Sequence, residues 1–393
     1  LTEWDPIGRI DVLEYPQPHL KVSEQIRYRA VTIDGGAMTL MIEPPGPGKW
    51  GHALFGESMY ALAYQLKKTP DVLVIGAGGG PDIEAALYWE ARSVVGVEIS
   101  LSTMRAVTGP YRDFVKWPDR EEVTLIHADG RSYAKSTDKR FDVVQMSGVD
   151  TMTMHTSGGA MVAAEDYLYT VDAFVDFLRV LKPGGVLSVA RFGDEGMNLA
   201  AIAVKALRQL GIAHPERCIA ALRQAHMGGV LVKREPLTRE DVGALRRFAS
   251  RRNENQIEIP VYDRAKVRHG AVVELLYPPQ LQKYKTGRLQ RKRALRYEGF
   301  FASVSMGRED AALKKLGNLF TPPTDDKPYY ILQRFIKGVQ QHQESTHPAF
   351  SLLIGATIII SLASLALIIF PALAVKRRTA ASPWTLLSVV AYF

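Results

Sequence analysis

Three places in this chain carry residues suited to hold one ligand. Gly76-Ala77-Gly78-Gly79-Gly80 closes one apolar run, Glu98 closes a second, and Asp129 closes a third. Glycine admits positive φ and leaves no Cβ between the backbone and a ligand. An acid roughly 20 residues beyond a glycine turn can accept both hydroxyls of a ribose, and Glu98 stands at that distance. Asp129 can accept from the amino group of an adenine. Together they describe an adenosine-containing ligand. A dinucleotide is the first rival, but its G-x-G-x-x-G fingerprint needs a third glycine at position 81, where this chain has Pro81. GAGGG without that glycine suits an adenosyl compound with no pyrophosphate. S-adenosylmethionine or a relative of it is therefore preferred over NAD.

Catalytic groups would come from the next strand end, Ser147 to Asp150, and from the loop after it. Asp150, Glu165 and Asp166 are carboxylates there, and His155 lies between them among Met, Ser and Gly. Asp150 and Glu165 are the candidates for orienting or deprotonating an acceptor, whereas His155 reads more simply as a solvated loop residue. Asp82 reads as an acid in the first turn of a helix, where the dipole favours it. His127 reads as a satisfied strand-end residue and Cys218 as a small buried apolar one. No cluster has metal-ligand spacing, and one cysteine supplies neither a zinc site nor an intrachain disulfide.

Alternating strands and helices must hold these groups. Val72–Ile75 suits a strand covered on both faces. Pro81 suits the first position of a helix, and Ile83, Ala86 and Leu87 follow at helical spacing. Val94–Val97, Val123–His127, Phe141–Met146 and Val186–Ala190 are further strands, and Lys182-Pro183-Gly184-Gly185 stops a helix begun near Val171. This alternation implies right-handed crossovers and a doubly wound parallel sheet, with ligands beyond the carboxyl ends of its strands. Ahead of it, alternating stretches flank Asp34-Gly35-Gly36 and predict a β-hairpin. After it come a helix at Asn198–Leu210, a hairpin around Met227-Gly228-Gly229, and a helix opened by Thr238 and Asp241 in a near capping box.

The net charge of +8 favours anionic surfaces. Lys283–Arg296 holds seven basic residues and no acidic one. With no recognised nucleic-acid motif beside it, it reads as a solvated face or an anionic-lipid patch. Ala349–Val375 carries no charge and is long enough to span a bilayer core. A second apolar run begins after Trp384.

The ordered set VLVIGAGGG, VVGVEIS, HADGRSY, FDVVQMSGVD and YLYTVDAFVDFLRVLKPGGVLSVAR resembles the spermidine synthase family over about residues 30 to 195. The resemblance implies a doubly wound, Rossmann-like class I methyltransferase fold with a small N-terminal β-hairpin region. It implies Glu98 as the ribose-binding acid and Asp129 with Gly130 as the adenine-binding pair. The family's glycine loop usually reads GGGDG, its Asp holding the amine end of decarboxylated S-adenosylmethionine, and here that place is Gly79. The family's fourth strand usually ends in DSSDP, the first Asp deprotonating the attacking amine. Here the run is SGVDT, so Ser147 takes that place and Asp150 keeps the second acid. A membrane span after such a domain resembles bacterial spermidine-synthase-like proteins fused to transmembrane segments. The expected organisation is thus a β region at 1–50, a ligand-binding domain at 51–275, a basic juxtamembrane segment at 276–348, a transmembrane helix at 349–375 and the start of a second at 384–393. The expected location is a bacterial inner or plasma membrane, with the soluble domain cytoplasmic. The expected ligand set is Gly76, Ala77, Gly78, Gly79, Gly80, Glu98, Asp129, Gly130 and Ser147. The expected cofactor is S-adenosylmethionine or its decarboxylated form, the acceptor an amine or a lipid-like molecule. Bilayer lipid is an expected partner and nucleic acid is not. A non-catalytic adenosyl-binding module coupled to the membrane segments is the alternative.

Overall fold

A computed structural model of the chain describes residues 1–14, 27–34, 37–44, 55–56, 58–149, 167–192, 195–224, 227–250, 259–263, 272–276, 288–315, 321–328, 330 and 355–367. The chain begins with an antiparallel sheet of β1 (Thr2–Asp5), β2 (Gly8–Leu13), β3 (Tyr28–Ile33) and β4 (Ala37–Ile42), in that order. The hairpin expected at Asp34 is there, with Ile33 paired to Ala37, and two further strands extend it. Ile10, Val12, Val31 and Met41 are buried from this sheet, in one apolar cluster with Val72, Val74, Ile83 and Trp117.

The second sheet starts with β5 (Asp71–Ile75), β6 (Ser93–Glu98), β7 (Val123–His127), β8 (Phe141–Ser147) and β9 (Leu181–Phe192). Their connections carry α1 (Pro81–Tyr88), α2 (Leu101–Thr108), α3 (Arg112–Val115), α4 (Gly130–Ser136) and α5 (Val171–Arg179). All four pairings among these strands are parallel, in the spatial order β7-β6-β5-β8-β9. Successive residues of a strand face opposite sides. Leu73 and Ile75 accordingly join one cluster with Phe174 and Phe177 of α5, while Val72 and Val74 join the other with Ile83 of α1. Burial on both faces is why these strands read as unbroken apolar runs.

Two sequence expectations shift in detail. Lys182–Gly185 follows α5 directly, as expected, but the strand after it already begins at Leu181, so these residues fall within the span of β9. There Gly184 takes φ +70°, and Lys182–Gly185 stand opposite Asp142 alone, between the pairs Phe141–Leu181 and Val143–Val186, so the glycines let the chain leave and rejoin the ladder. The later hairpin is β10 (Ile219–Gln224) and β11 (Met227–Val232), so Gly228 and Gly229 lie in a strand. A Cβ on Gly229 would stand 2.4 Å from the Val189 carbonyl oxygen, which requires glycine where β11 crosses β9.

β11 inserts between β9 and β10 and runs antiparallel to both, and β12 (Ile259–Asp263) and β13 (Val272–Leu276) continue antiparallel to the edge. The expected parallel sheet therefore covers β5–β9 and ends there, because a tight hairpin can only deliver antiparallel neighbours. Helices α6 (Gly196–Gln209), α7 (Arg239–Ser250), α8 (Arg288–Ser305) and α9 (Glu309–Lys315) complete the described fold. α7 opens with the reciprocal cap read from the sequence, built with Asp in place of Glu. Asp241 N donates to Thr238 Oγ1 at 3.0 Å and Thr238 N to Asp241 Oδ2 at 2.8 Å. The basic residues Arg288–Arg296 form the first half of α8, whose second half buries Phe300, Phe301 and Val304 in the core. The architecture is an α/β fold consistent with the Rossmann-like methyltransferase class.

The membrane reading is overturned. Among the described residues no helix is long and apolar enough to cross a membrane. Within Ala349–Val375, the described residues are 355–367, all of them helical. The rest of that stretch and the run after Trp384 lie outside the described residues. The placement of the chain in a bacterial membrane, and its sidedness, lose their basis with the span.

Candidate functional site

The strand order reverses between β5 and β8, and in open α/β sheets ligands bind at such a point beyond the strand ends. The glycine loop leaves β5 there. Gly76, Gly78 and Gly80 take φ of +74°, +53° and +105°, conformations that side chains rarely adopt. Every N–H of the loop has an acceptor in the protein. Gly76 N and Ala77 N donate to the Val97 carbonyl, Gly78 N to Glu98 Oε2 at 2.8 Å, Gly79 N to Thr39 Oγ1 at 3.2 Å and Gly80 N to the Ala77 carbonyl. A phosphate cradle works by turning such N–H groups towards the ligand. This loop has none to turn, so a pyrophosphate is disfavoured by donor accounting as well as by Pro81.

Glu98, at the end of β6, is 8% exposed. Its second oxygen accepts from Ser100 N at 2.8 Å. Burial raises its pKa, and the N–H donors of Ser100, Gly78 and Ile99 oppose the rise. A carboxylate offers about four lone-pair sites, so these backbone bonds leave capacity for a further donor. Ser100 caps α2 and donates through Oγ to Asp5 Oδ2 at 2.8 Å, which ties the N-terminal sheet to this corner.

β4 forms a wall over the loop. A Cβ on Gly79 would lie 2.2 Å from the Leu40 carbonyl oxygen, and one on Gly78 would lie 2.9 Å from Thr39 Oγ1. An acidic side chain at 79 is therefore sterically closed in this fold. Gly130 fits for a similar reason, since a Cβ there would stand 2.5 Å from Ile75 Cγ2. Asp129 is exposed and caps α4, its Oδ1 accepting from Ser132 N at 2.7 Å.

Asp82 occupies the second position of α1, directly beyond the loop, and is 4% exposed. The expectation of a simple helix-dipole acid is incomplete. Ser147 Oγ, at the end of β8, donates to Asp82 Oδ1 at 2.9 Å, and Gln145 Nε2 donates to the same oxygen. Burial pushes the Asp82 pKa up to about 6, against the hydrogen bonds from Gln145 and Ser147. Burial and the Asp82 charge in turn raise the Tyr60 and Tyr64 pKa values, so both phenols stay protonated.

A second support lies on the far side of α4. Arg131 donates from Nη1 and Nη2 to the two oxygens of Asp325, each at 2.7 Å, and from Nε to Asp176 at 2.8 Å. Thr170 Oγ1 donates to Asp325, and Val171 N donates to the Pro323 carbonyl. The polar segment 321–328 is thereby bound against α4 and α5. Beyond it, Tyr330 Oη donates to Glu195 Oε2 at 2.6 Å, and Arg191 stacks on the rings of Tyr169 and Tyr330.

Of the expected ligand set, Glu98 bonds to the loop Gly76–Gly80 through Gly78 N, Ser147 bonds to Asp82 just beyond the loop, Gly130 packs on β5, and Asp129 bonds within its own helix cap. The candidate catalytic carboxylates Asp150 and Glu165, with His155 and Asp166, lie outside the described residues. The sequence reading missed Asp82 as a site residue, and with it Gln145, Thr39, Arg131 and Asp325. Only Gln145 carried a signal, a polar side chain inside the apolar run FDVVQMS of a doubly covered strand. The other partnerships join distant segments. Among the described residues no group of His, Cys, Asp and Glu has metal-binding geometry.

No family model and no curated protein matches the chain. Among solved structures it is similar to a spermidine synthase in complex with the transition-state analogue AdoDATO and to the spermidine synthase from Thermotoga maritima. Each is 18% identical, with 65% of this chain and 80% of the other covered and a TM-score of 0.43. A probable spermidine synthase from Corynebacterium glutamicum ATCC 13032 is 14% identical, with 73% and 93% covered and a TM-score of 0.42. These are of the kind the sequence motifs resemble, at values too low to carry a functional conclusion, which rests on the site.

Proposed function

We propose that the corner between the glycine loop, Glu98 and Ser147 binds an adenosyl sulfonium, S-adenosylmethionine or its decarboxylated form, and transfers a carbon group from sulfur to an acceptor. The observation that carries the reading is Glu98. It is a buried carboxylate at the strand end beside the switch point, fixed by Gly78 N and Ser100 N and with capacity left for a ribose hydroxyl. The fully used N–H groups of the loop support a ligand without pyrophosphate. A sulfonium is activated by its own positive charge, so the protein's contribution is to align acceptor and donor in line and to take up a proton.

An amine is the acceptor class that fits best, because a second buried acid beside the loop, Asp82, has no cationic side chain bonded to it among the described residues. The closed position at Gly79 removes one acid that would hold the donor's amine end, so donor choice is decided by measurement. The test incubates the full chain with each donor and a panel of primary amines, and follows release of the adenosyl thioether by mass spectrometry. Acceptor-dependent thioether release supports transfer. Tight donor binding with no thioether from any amine would refute amine transfer.

A further inference from the structure

We propose that Asp82 is the proton acceptor of this transfer, reached through the hydroxyl of Ser147. The proposal rests on the adenosyl reading of the site and adds the group that completes its chemistry. Geometry carries it. The glycine loop delivers Asp82 one residue beyond Pro81, and Ser147 ends the neighbouring strand at the switch point. Ser147 Oγ donates to Asp82 Oδ1 at 2.9 Å, so its lone pairs face away from that bond and can receive another proton. Ser147 is partly exposed while Asp82 is almost fully buried, which makes the hydroxyl the contact and the carboxylate the reservoir.

The surroundings suit a carboxylate kept for proton transfer. The groups facing Asp82 are Gln145 and Ser147 from β8, and Tyr60 and Tyr64 from the segment before β5. None is charged. No ion pair to Asp82 occurs among the described residues. Tyr64 Oη and Gln145 Oε1 are buried with no hydrogen-bond partner among the described residues, and polar atoms left so are costly unless they have a use. A buried, unpaired acid in such a position is a feature of sites that move protons.

The step balances. The lone pair of the acceptor nitrogen forms the new N–C bond as the S–C bond breaks and leaves its electron pair on sulfur, giving a neutral thioether. The proton released by nitrogen passes to Ser147 Oγ as the Ser147 proton passes to Asp82 Oδ1. The carboxylate becomes a neutral acid, cancelling the charge lost from the sulfonium. Burial lifts Asp82 to about 6, so it is ionised at neutral pH yet a stronger base than an ordinary surface carboxylate, the compromise a general base requires.

Asp82→Asn, Ser147→Ala and the wild-type full chain are compared in three readouts. These are donor binding by calorimetry, carboxyl titration by carbon-13 NMR with labelled Asp, and the pH profile of transfer to propylamine, 1,3-diaminopropane and 1,4-diaminobutane. In wild type, one Asp carboxyl titrates near 6 and transfer rises through the same pH. In Asp82→Asn that resonance is lost, donor affinity stays within threefold, and kcat falls at least about 100-fold with the pH limb gone. Ser147→Ala moves the resonance upward, because the charged form has lost a hydrogen bond. Full transfer by Asp82→Asn, no carboxyl near 6, or no transfer to any amine with donor bound would each overturn the relay and leave the adenosyl reading standing. Absence of donor binding by wild type would instead refute the reading beneath it.

Discussion

Replacing Gly79 by aspartate would restore the acid that the resembled family carries in its loop. The fold predicts that the replacement fails. A Cβ at position 79 would lie 2.2 Å from the Leu40 carbonyl oxygen, 2.5 Å from its carbon and 2.8 Å from Met41 N. These are backbone atoms of β4, so no side-chain rotation relieves them. Ordinary carbon contacts are about 3.5 Å or more, and either β4 or the loop must retreat by roughly 1 Å. Overpacking of this kind costs about 1–3 kcal/mol. Retreat of the loop also strains Gly79 N to Thr39 and Gly78 N to Glu98, bonds with net values of about 1 kcal/mol for the neutral one and about 2 kcal/mol for the charged one. The expected loss is about 2–4 kcal/mol, read as a lower urea midpoint. Gly299→Ala is the control, because it lies in α8 with nothing within 4 Å of its Cβ. It should be neutral or stabilising by up to about 1 kcal/mol. Gly79→Asp at wild-type stability, with gained affinity for decarboxylated S-adenosylmethionine, would refute the close approach of β4.

Two further perturbations follow from the site. Asp82 binds a proton more readily folded than unfolded, because burial lifts its pKa from 3.8 to about 6. The unfolded chain then holds fewer protons between those values, and stability falls as pH rises through that window, by up to about 3 kcal/mol. Asp82→Asn should flatten this slope and stabilise the protein at pH 7, its amide donating to the unpartnered Gln145 Oε1. Urea midpoints at pH 4 and 7 check this, and an unchanged slope would contradict it. Arg131→Met should strand Asp176 and the half-exposed Asp325 without their partner. A loss of about 2–4 kcal/mol and faster proteolysis within 321–328 are expected, and wild-type resistance to protease would show that the segment is held by other means.

Local signals made much of the fold legible. The strands β5 to β9 announced themselves as apolar runs because both faces are covered, and Pro81 and Thr238 marked helix starts by their own chemistry. The glycines were legible as loop formers, but the reason for Gly79 was not. It needs glycine because β4, some 40 residues earlier in the chain, passes over it, and no local pattern carries that fact. Asp82 was readable only as a helix acid, since its meaning depends on Gln145 and Ser147 from another strand. Ser147 looked like a lost acid, and the fold puts an acid beside it from a different position. The apolar stretch near the end was read as a span from length and hydropathy alone, and among the described residues no helix is long and apolar enough to cross a membrane.

The central claim is that Glu98 receives the ribose of a pyrophosphate-free adenosyl ligand. Calorimetric titration of the full chain with S-adenosylmethionine, its decarboxylated form and NAD, each repeated on Glu98→Gln, tests it most directly. The account predicts saturable binding of at least one sulfonium, weaker or no binding of NAD, and at least a tenfold loss of sulfonium affinity in Glu98→Gln, about 1.4 kcal/mol. Tighter binding of NAD than of either sulfonium, or sulfonium affinity unchanged in Glu98→Gln, would contradict it.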